Sequence, residues 1–167
     1  MTGRVVVIGV GNSFRRDDGA GIAVIRALRA NPPRQALLAE SDGEPGRMLE
    51  LWDRGDFVVV ADAVHAHPGC PGRLHTLSAQ RTTEFAERPA SSHALGLGET
   101  FALASALDRM PREVTVHAVE GADFGLGRGL SAPVAAALPG LIGMVLESVG
   151  RGYDSLADAT GSPGSPR

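Results

Sequence analysis

The chain opens on an uninterrupted β-branched run, Val5, Val6, Val7 and Ile8, which stops at Gly9-Val10-Gly11-Asn12. A stretch apolar at every position has no solvent-facing side, so it predicts a strand covered on both faces, followed by a turn. Past Asp18 the period changes. Ile22, Ile25 and Leu28 recur at intervals of three and Val24 and Leu28 at four, until Pro32 and Pro33 end the pattern. This predicts a helix from about Asp18 to about Ala30. Ala36 to Leu38 read as a weaker strand. Met48, Leu49, Leu51 and Trp52 read as a short amphipathic helix after the turn Asp42-Gly43-Glu44-Pro45-Gly46, and Phe57 to Val60 as a strong strand closing at Ala61 and Asp62. The order βαβαβ calls for a parallel sheet with helices packed on its faces.

The second half is less regular. His65 to Pro71 is a proline-rich loop, and Arg73 to Leu77 is a short strand suited to a sheet edge. Ala79 to Ser92 has no periodicity, Leu95 to Leu107 is helical, and Val114, Val116 and Val119 mark a further strand. Ser131 can cap a last helix with the stripe Val134, Leu138, Leu141, Ile142, Val145 and Val149; Pro139 either kinks it or starts a second one. Beyond Arg151 the chain turns to Gly, Ser, Asp and Pro. The expected organisation is therefore a single α/β domain over residues 1–150 and a disordered tail over 151–167.

Composition narrows the function. With 43% apolar and 21% charged residues the bulk of the chain is globular, and a net charge of -3 gives no electrostatic reason to seek nucleic acid. No run approaches the ~18 consecutive apolar residues of a bilayer span, so no membrane partner is expected either. All 16 basic residues are arginine, which removes Schiff-base and P-loop lysine chemistry. The lone cysteine, Cys70, cannot form an internal disulfide, and no export signal precedes the first strand; both point to the cytoplasm.

In an open parallel sheet, ligands bind beyond the carboxyl ends of the strands, where the winding reverses. The first and third strands are the natural neighbours there, which brings Asp18 and Asp62 together. Gly9-Val10-Gly11 begins like a dinucleotide fingerprint, but Phe14 stands where the third glycine belongs, and Asp17 and Asp18 would face a pyrophosphate with negative charge. Either aspartate can instead cap the first helix. A metal site needs an imidazole beside the carboxylates. His93, just ahead of a helix, is one source, and His65 and His67, close after Asp62, form a rival set. His75 and His117 read as ordinary, partly exposed strand residues. Cys70 near His65 or His67 is a further nucleophile candidate. Zincin and serine-elbow motifs are absent from the sequence.

Taken in order, Gly9-Val10-Gly11-Asn12, Asp17-Asp18-Gly19-Ala20-Gly21, Ala61-Asp62-Ala63, Ser92-His93-Ala94-Leu95-Gly96 and Gly129-Leu130-Ser131 resemble the NiFe-hydrogenase maturation endopeptidases. The resemblance spans about residues 4 to 150. It implies a three-layer α/β/α sandwich around a twisted, mostly parallel five-stranded sheet, with one short edge strand open to antiparallel pairing. It also implies a metal-contacting triad of Asp18, Asp62 and His93; the metal either activates water, in which case Asp18 or Asp62 serves as general base, or only docks the substrate while another group acts. Some family members carry glutamate where Asp18 stands, so the reach to metal is one methylene shorter here.

The implied activity is removal of the C-terminal extension of a hydrogenase large-subunit precursor. The nickel is supplied by that precursor, and zinc or cadmium can substitute for it in a crystal. Asn12, Asp17 and Gly43 are candidates for gripping the substrate chain. Two other readings use the same crevice: a noncatalytic nickel-binding assembly chaperone, and a small nucleotide-binding module.

Overall fold

In the computed structural model, which describes residues 2–78 and 92–161 and leaves aside the side chains of residues 92–95, five strands form one sheet in the order β2-β1-β3-β5-β4. The elements along the chain are β1 (Val5–Val10), α1 (Ala20–Ala30), β2 (Ala36–Ser41), α2 (Pro45–Met48), β3 (Phe57–Val64), β4 (Leu74–Ser78), α3 (Ser92–Ala106), β5 (Glu113–Glu120) and α4 (Ala132–Thr160). A 3₁₀ turn, Arg16–Gly19, leads into α1, and another, Leu49–Leu51, follows α2. β1 pairs in parallel with β2 and β3, β3 in parallel with β5, and only the edge strand β4 is antiparallel. This is the expected sheet.

The period-2 geometry of a strand sends successive side chains to opposite faces, so the apolar run of β1 feeds two cores. Val5 and Val7 join α1 and α4, through Val24, Ile25, Leu141, Val145 and Val149. Val6, Ile8 and Val10 join Met48, Leu49, Trp52, Leu97 and Phe101 on the side of α2 and α3. Each such side chain, fully buried, contributes about 1.5–3 kcal/mol, and together they hold three layers in contact. Trp52 also donates its indole N–H to the Arg109 carbonyl at 2.9 Å, which satisfies its polar edge inside the second core.

The structure moves several boundaries. α1 begins at Ala20, two residues later than its periodicity predicts, because residues 16–19 wind as a 3₁₀ turn. Asp62 lies within β3, which runs on to Val64. α4 passes through Pro139 as one helix and continues to Thr160. Residues 151–160, expected as the start of a disordered tail, are therefore helical, with Gly152 packed so closely that a Cβ there would stand 2.8 Å from the Phe57 ring. A composition poor in apolar residues still forms helix when a few positions, here Gly152, Tyr153 and Leu156, rest on the core. Residues 162–167 lie outside the described residues. α4 is also long and apolar enough, by length and composition alone, to cross a bilayer, with an 18-residue window of mean hydropathy 1.6. A count of consecutive apolar residues does not register this, because small and polar residues punctuate the helix. In the fold its stripe Val134, Leu141, Val145 and Val149 is buried against the sheet.

Candidate functional site

The winding reverses between β1 and β3, because the chain leaves β1 for β2 on one side and returns to β3 on the other. Glycines let the backbone close over this point. A Cβ at Gly21 would stand 2.3 Å from the Ala61 carbonyl oxygen and 2.5 Å from that of Val10, so the start of α1 lies directly on the ends of both strands. At Gly11, φ is +140° and a Cβ would meet the Asp18 carbonyl oxygen at 1.9 Å, a position closed to other residues. The glycine spacing that mimics a dinucleotide fingerprint thus serves to bring a 3₁₀ turn and a helix down onto two strands.

That closure sets Asp18 against the turn after β1. Its carboxylate accepts the Asn12 amide at 2.9 Å, and the side chain is buried. Asp62 stands on the neighbouring strand, one residue past Ala61, which is in register with Gly9. It too is buried, and its Oδ1 accepts the Ala63 amide at 2.8 Å. One buried carboxylate thus belongs to the 3₁₀ turn that closes on the end of β1, and the other to the carboxyl-terminal part of β3, the strand paired with β1. His93 is the second residue of α3, and its side chain lies outside the described residues. One helical turn later, a Cβ at Gly96 would be 3.8 Å from the Gly43 carbonyl oxygen, so the start of α3 adjoins the loop after β2.

Among the described residues no three His, Cys, Asp or Glu side chains are grouped so as to hold a metal ion. The rival set of Asp62 with His65 and His67 is thus not assembled. The rings of His65 and His67 instead lie against each other, centroids 4.8 Å apart, and His65 also lies 5.3 Å from Phe124. Carboxylate oxygen from Asp18 and Asp62 would be two donors of a borderline-metal set that still requires an imidazole.

Asp17 is used differently from its neighbour. Its two oxygens accept the Ala122 and Asp123 amides at 2.7 and 2.9 Å and the Ser131 amide and hydroxyl, both at 2.7 Å. Burial pushes the Asp17 carboxyl up, but the Ser131 hydroxyl and the three amides outweigh it and hold the group below the usual carboxylate range. Asp17, expected as a helix cap or a substrate contact, instead ties the turn after β1 to the loop between β5 and α4. Neither aspartate caps α1, whose N-cap is Gly19, and Ser131, at the N-cap of α4, gives its hydroxyl to Asp17.

Asn12 is exposed, and its Oδ1 accepts the Phe14 amide at 2.9 Å. Gly43 has φ +85° and donates its amide to the Ser41 hydroxyl at 3.0 Å. A cleft of about 480 Å³ opens beside Gly11 and Ser41, with Glu40, Asp42, Arg47 and Glu50 on its walls. A wider cavity of about 790 Å³ at the opposite pole, lined by Arg4, Gln35, Tyr153 and Leu156, carries none of the candidate residues.

Two further histidines are engaged elsewhere. His75 bonds the buried Glu120 at 2.7 Å, and Glu120 also accepts the Cys70 amide at 2.5 Å. Burial raises the Glu120 carboxyl, yet that amide and His75 bring it below its ordinary value. His117, expected to be partly exposed, is buried: its ring bonds Thr76 of β4 at 2.8 Å and Ser148 of α4 at 2.7 Å. Burial, reinforced by Arg151, lowers its pKa to about 4. Period 2 along β5 marks His117 as facing away from Val116, but only the packing of α4 shows that the second face is covered as well.

The family model described as hydrogenase maturation protease matches residues 37–148, a span that includes Asp62 and His93 and begins after Asp18. The Hydrogenase 2 maturation protease of Escherichia coli K12 is 25% identical over 118 residues, which is 70% of this chain and 72% of that protein. Among solved structures, the hydrogenase maturating endopeptidase HybD of E. coli superposes with a TM-score of 0.78 at 22% identity, covering 89% of this chain and 93% of its own. The [NiFe] hydrogenase maturation protease HybD of Thermococcus kodakarensis superposes with a TM-score of 0.73 at 23% identity, covering 86% and 97%.

Proposed function

Since the chain belongs to the hydrogenase maturation protease family, we propose that it removes the C-terminal extension of a NiFe-hydrogenase large-subunit precursor once nickel has been inserted. The observation that carries this reading is that two buried aspartates, Asp18 in the 3₁₀ turn that closes on the end of β1 and Asp62 in the carboxyl-terminal part of β3, belong to the two sides of the switch point. A divalent ion carried by the precursor would find two carboxylates in a site of low local dielectric, where attraction is much stronger than in water. His93, from the start of α3, would add the imidazole that such a donor set requires.

In this reading the nickel belongs to the substrate, and its capture distinguishes loaded precursor from empty precursor. Three protein donors leave room for ligands the precursor itself supplies. Asn12 and Gly43, on the loops after β1 and β2, would meet the backbone of the substrate chain. The carboxylate of Asp18 or Asp62 that faces the scissile bond accepts the proton of the attacking water. Water oxygen bonds to the carbonyl carbon, the C–N bond breaks, and the proton passes to the departing amine.

The test is incubation of precursor, with and without inserted nickel, followed by mass spectrometry. Loss of a C-terminal fragment from the nickel-loaded form alone is the expected result. Tight, nickel-dependent association without cleavage would establish an assembly chaperone instead, and cleavage of both forms alike would remove nickel from the recognition step.

A further inference from the structure

A second, oppositely charged feature adjoins the turn that carries Asp18. Arg16, Arg26 and Arg128 wall a cavity of about 350 Å³ whose other sides are Ser13, Gly19 and Leu130, with no acidic side chain among the residues that line it. Gly19 follows Asp18 directly, so this cavity starts one residue from the candidate site. The three cations are only lightly compensated. Arg16 meets Asp123 at 3.6 Å across an exposed pair and donates to the Arg128 carbonyl oxygen at 3.3 Å. Arg26 shares Glu40 with Arg29, and Glu40 lies 2.5 Å from Arg29 but 3.7 Å from Arg26. The Arg128 guanidinium lies over the Phe14 ring at 4.5 Å, and the arginine is exposed.

The backbone is shaped to hold this arrangement. Arg16 has φ +48°, in the left-handed region that a side chain rarely takes, and it is held there by its amide donating to the Gly127 carbonyl oxygen at 3.0 Å. Gly127 returns its own amide to the Phe14 carbonyl oxygen at 2.8 Å, clasping the two loops that wall the cavity. Each loop also exposes an apolar side chain beside the arginines: Phe14 is 55% and Leu126 87% exposed.

We propose that this cavity receives acidic side chains of an extended polypeptide, seated so that its neighbouring apolar side chains rest on Phe14 and Leu126; the inference rests on the proteolytic reading only in taking that polypeptide to be the substrate. Arginine forks pair with carboxylates in a planar, bidentate way, which suits this ligand. The volume admits one or two side chains, whereas a nucleic-acid strand needs a continuous basic track with aromatic platforms. An overall charge of -3 makes a local cluster of three arginines a selective feature, not part of a general basic surface.

The experiment uses the full chain and fluorescein-labelled short peptides carrying two adjacent glutamates between apolar residues, with glutamine versions as controls, read by anisotropy. The glutamate peptide is expected to bind roughly tenfold tighter than the glutamine peptide, with the difference shrinking as salt rises. Arg26→Glu with Arg128→Glu, and separately Arg26→Gln with Arg128→Gln, should abolish the difference; both arginines are exposed, so the fold is expected to persist. On precursor the same variants should raise KM and leave kcat unchanged. Equal binding of the two peptides, discrimination that survives in both double variants, or equally tight binding of a single-stranded oligonucleotide would overturn the proposal. If wild-type protein fails to cleave nickel-loaded precursor yet discriminates between the peptides, the proteolytic reading falls and the acidic-peptide site stands.

Discussion

Asp17 and Asp18 are the same residue type, adjacent in the chain and equally buried, yet the fold puts them to different uses. Asp17 turns toward the loop of residues 122–131 and accepts four hydrogen bonds from groups more than a hundred residues away. Asp18 accepts the amide of Asn12, six residues back in the turn after β1, and β1 is paired with β3, the strand that carries Asp62. The first is a fastener: its acceptor positions are filled by donors that have no better partner. The second lies in the 3₁₀ turn packed against the Gly11 backbone, next to the switch point where open parallel sheets bind their ligands. A buried carboxylate is thus best assigned by where its bonds lead, not by its burial.

The contrast is broken most directly by neutralising each acid in turn. Asp18→Asn or Asp62→Asn should lower precursor cleavage by about 100-fold or more, the usual loss when a positioned acid–base group is removed, while circular dichroism and the melting curve remain near wild type. His93→Ala should do the same. Full activity in any of the three variants takes that residue out of the site. Asp17→Ala should instead cost about 2–4 kcal/mol in a urea titration, because it leaves buried amides of 122, 123 and 131 without their acceptor. Its activity should fall only with the folded fraction, and unchanged stability would contradict its role as a fastener.

The second fastener, His117, sharpens the comparison through pH. Its pKa is about 4 in the folded chain against an ordinary 6.5, so between those values the unfolded state binds the extra proton. Stability should therefore be complete above about pH 6.5 and decline as pH falls toward 4, by roughly 1–2 kcal/mol after allowing for solvent screening. His117→Gln should flatten that segment of the stability–pH curve, and an unaltered slope would show that another group titrates there. The smallest effect is expected from Ser131→Ala, about 1 kcal/mol of stability with cleavage retained, since Asp17 keeps its three amide donors.

Much of the architecture could be read from spacing. The β-branched run of β1, the period change into α1 and the strand ending near Asp62 prescribe a parallel sheet whose first and third strands adjoin, as they do. Three features could not be read that way. The 3₁₀ turn that delays α1 exists because Gly11, Gly19 and Gly21 allow backbone to touch backbone, and composition does not distinguish such glycines from those of ordinary turns. The burial of His117 depends on α4, thirty residues downstream. The arginine cavity is assembled from three segments, each of which looks like solvated charge when taken alone.

What the amino-acid order determines by itself is therefore the local part: which stretches are apolar on one face or both, and where glycine and proline permit the chain to turn. Periodicity and backbone freedom are properties of neighbours along the chain. Only the tertiary structure decided that Asp17 fastens a distant loop while Asp18 bonds the turn after β1, and that Arg16, Arg26 and Arg128 line one cavity. Hydrogen-bond partners and local charge are properties of neighbours in space, and the chain acquires those only when its layers close on one another.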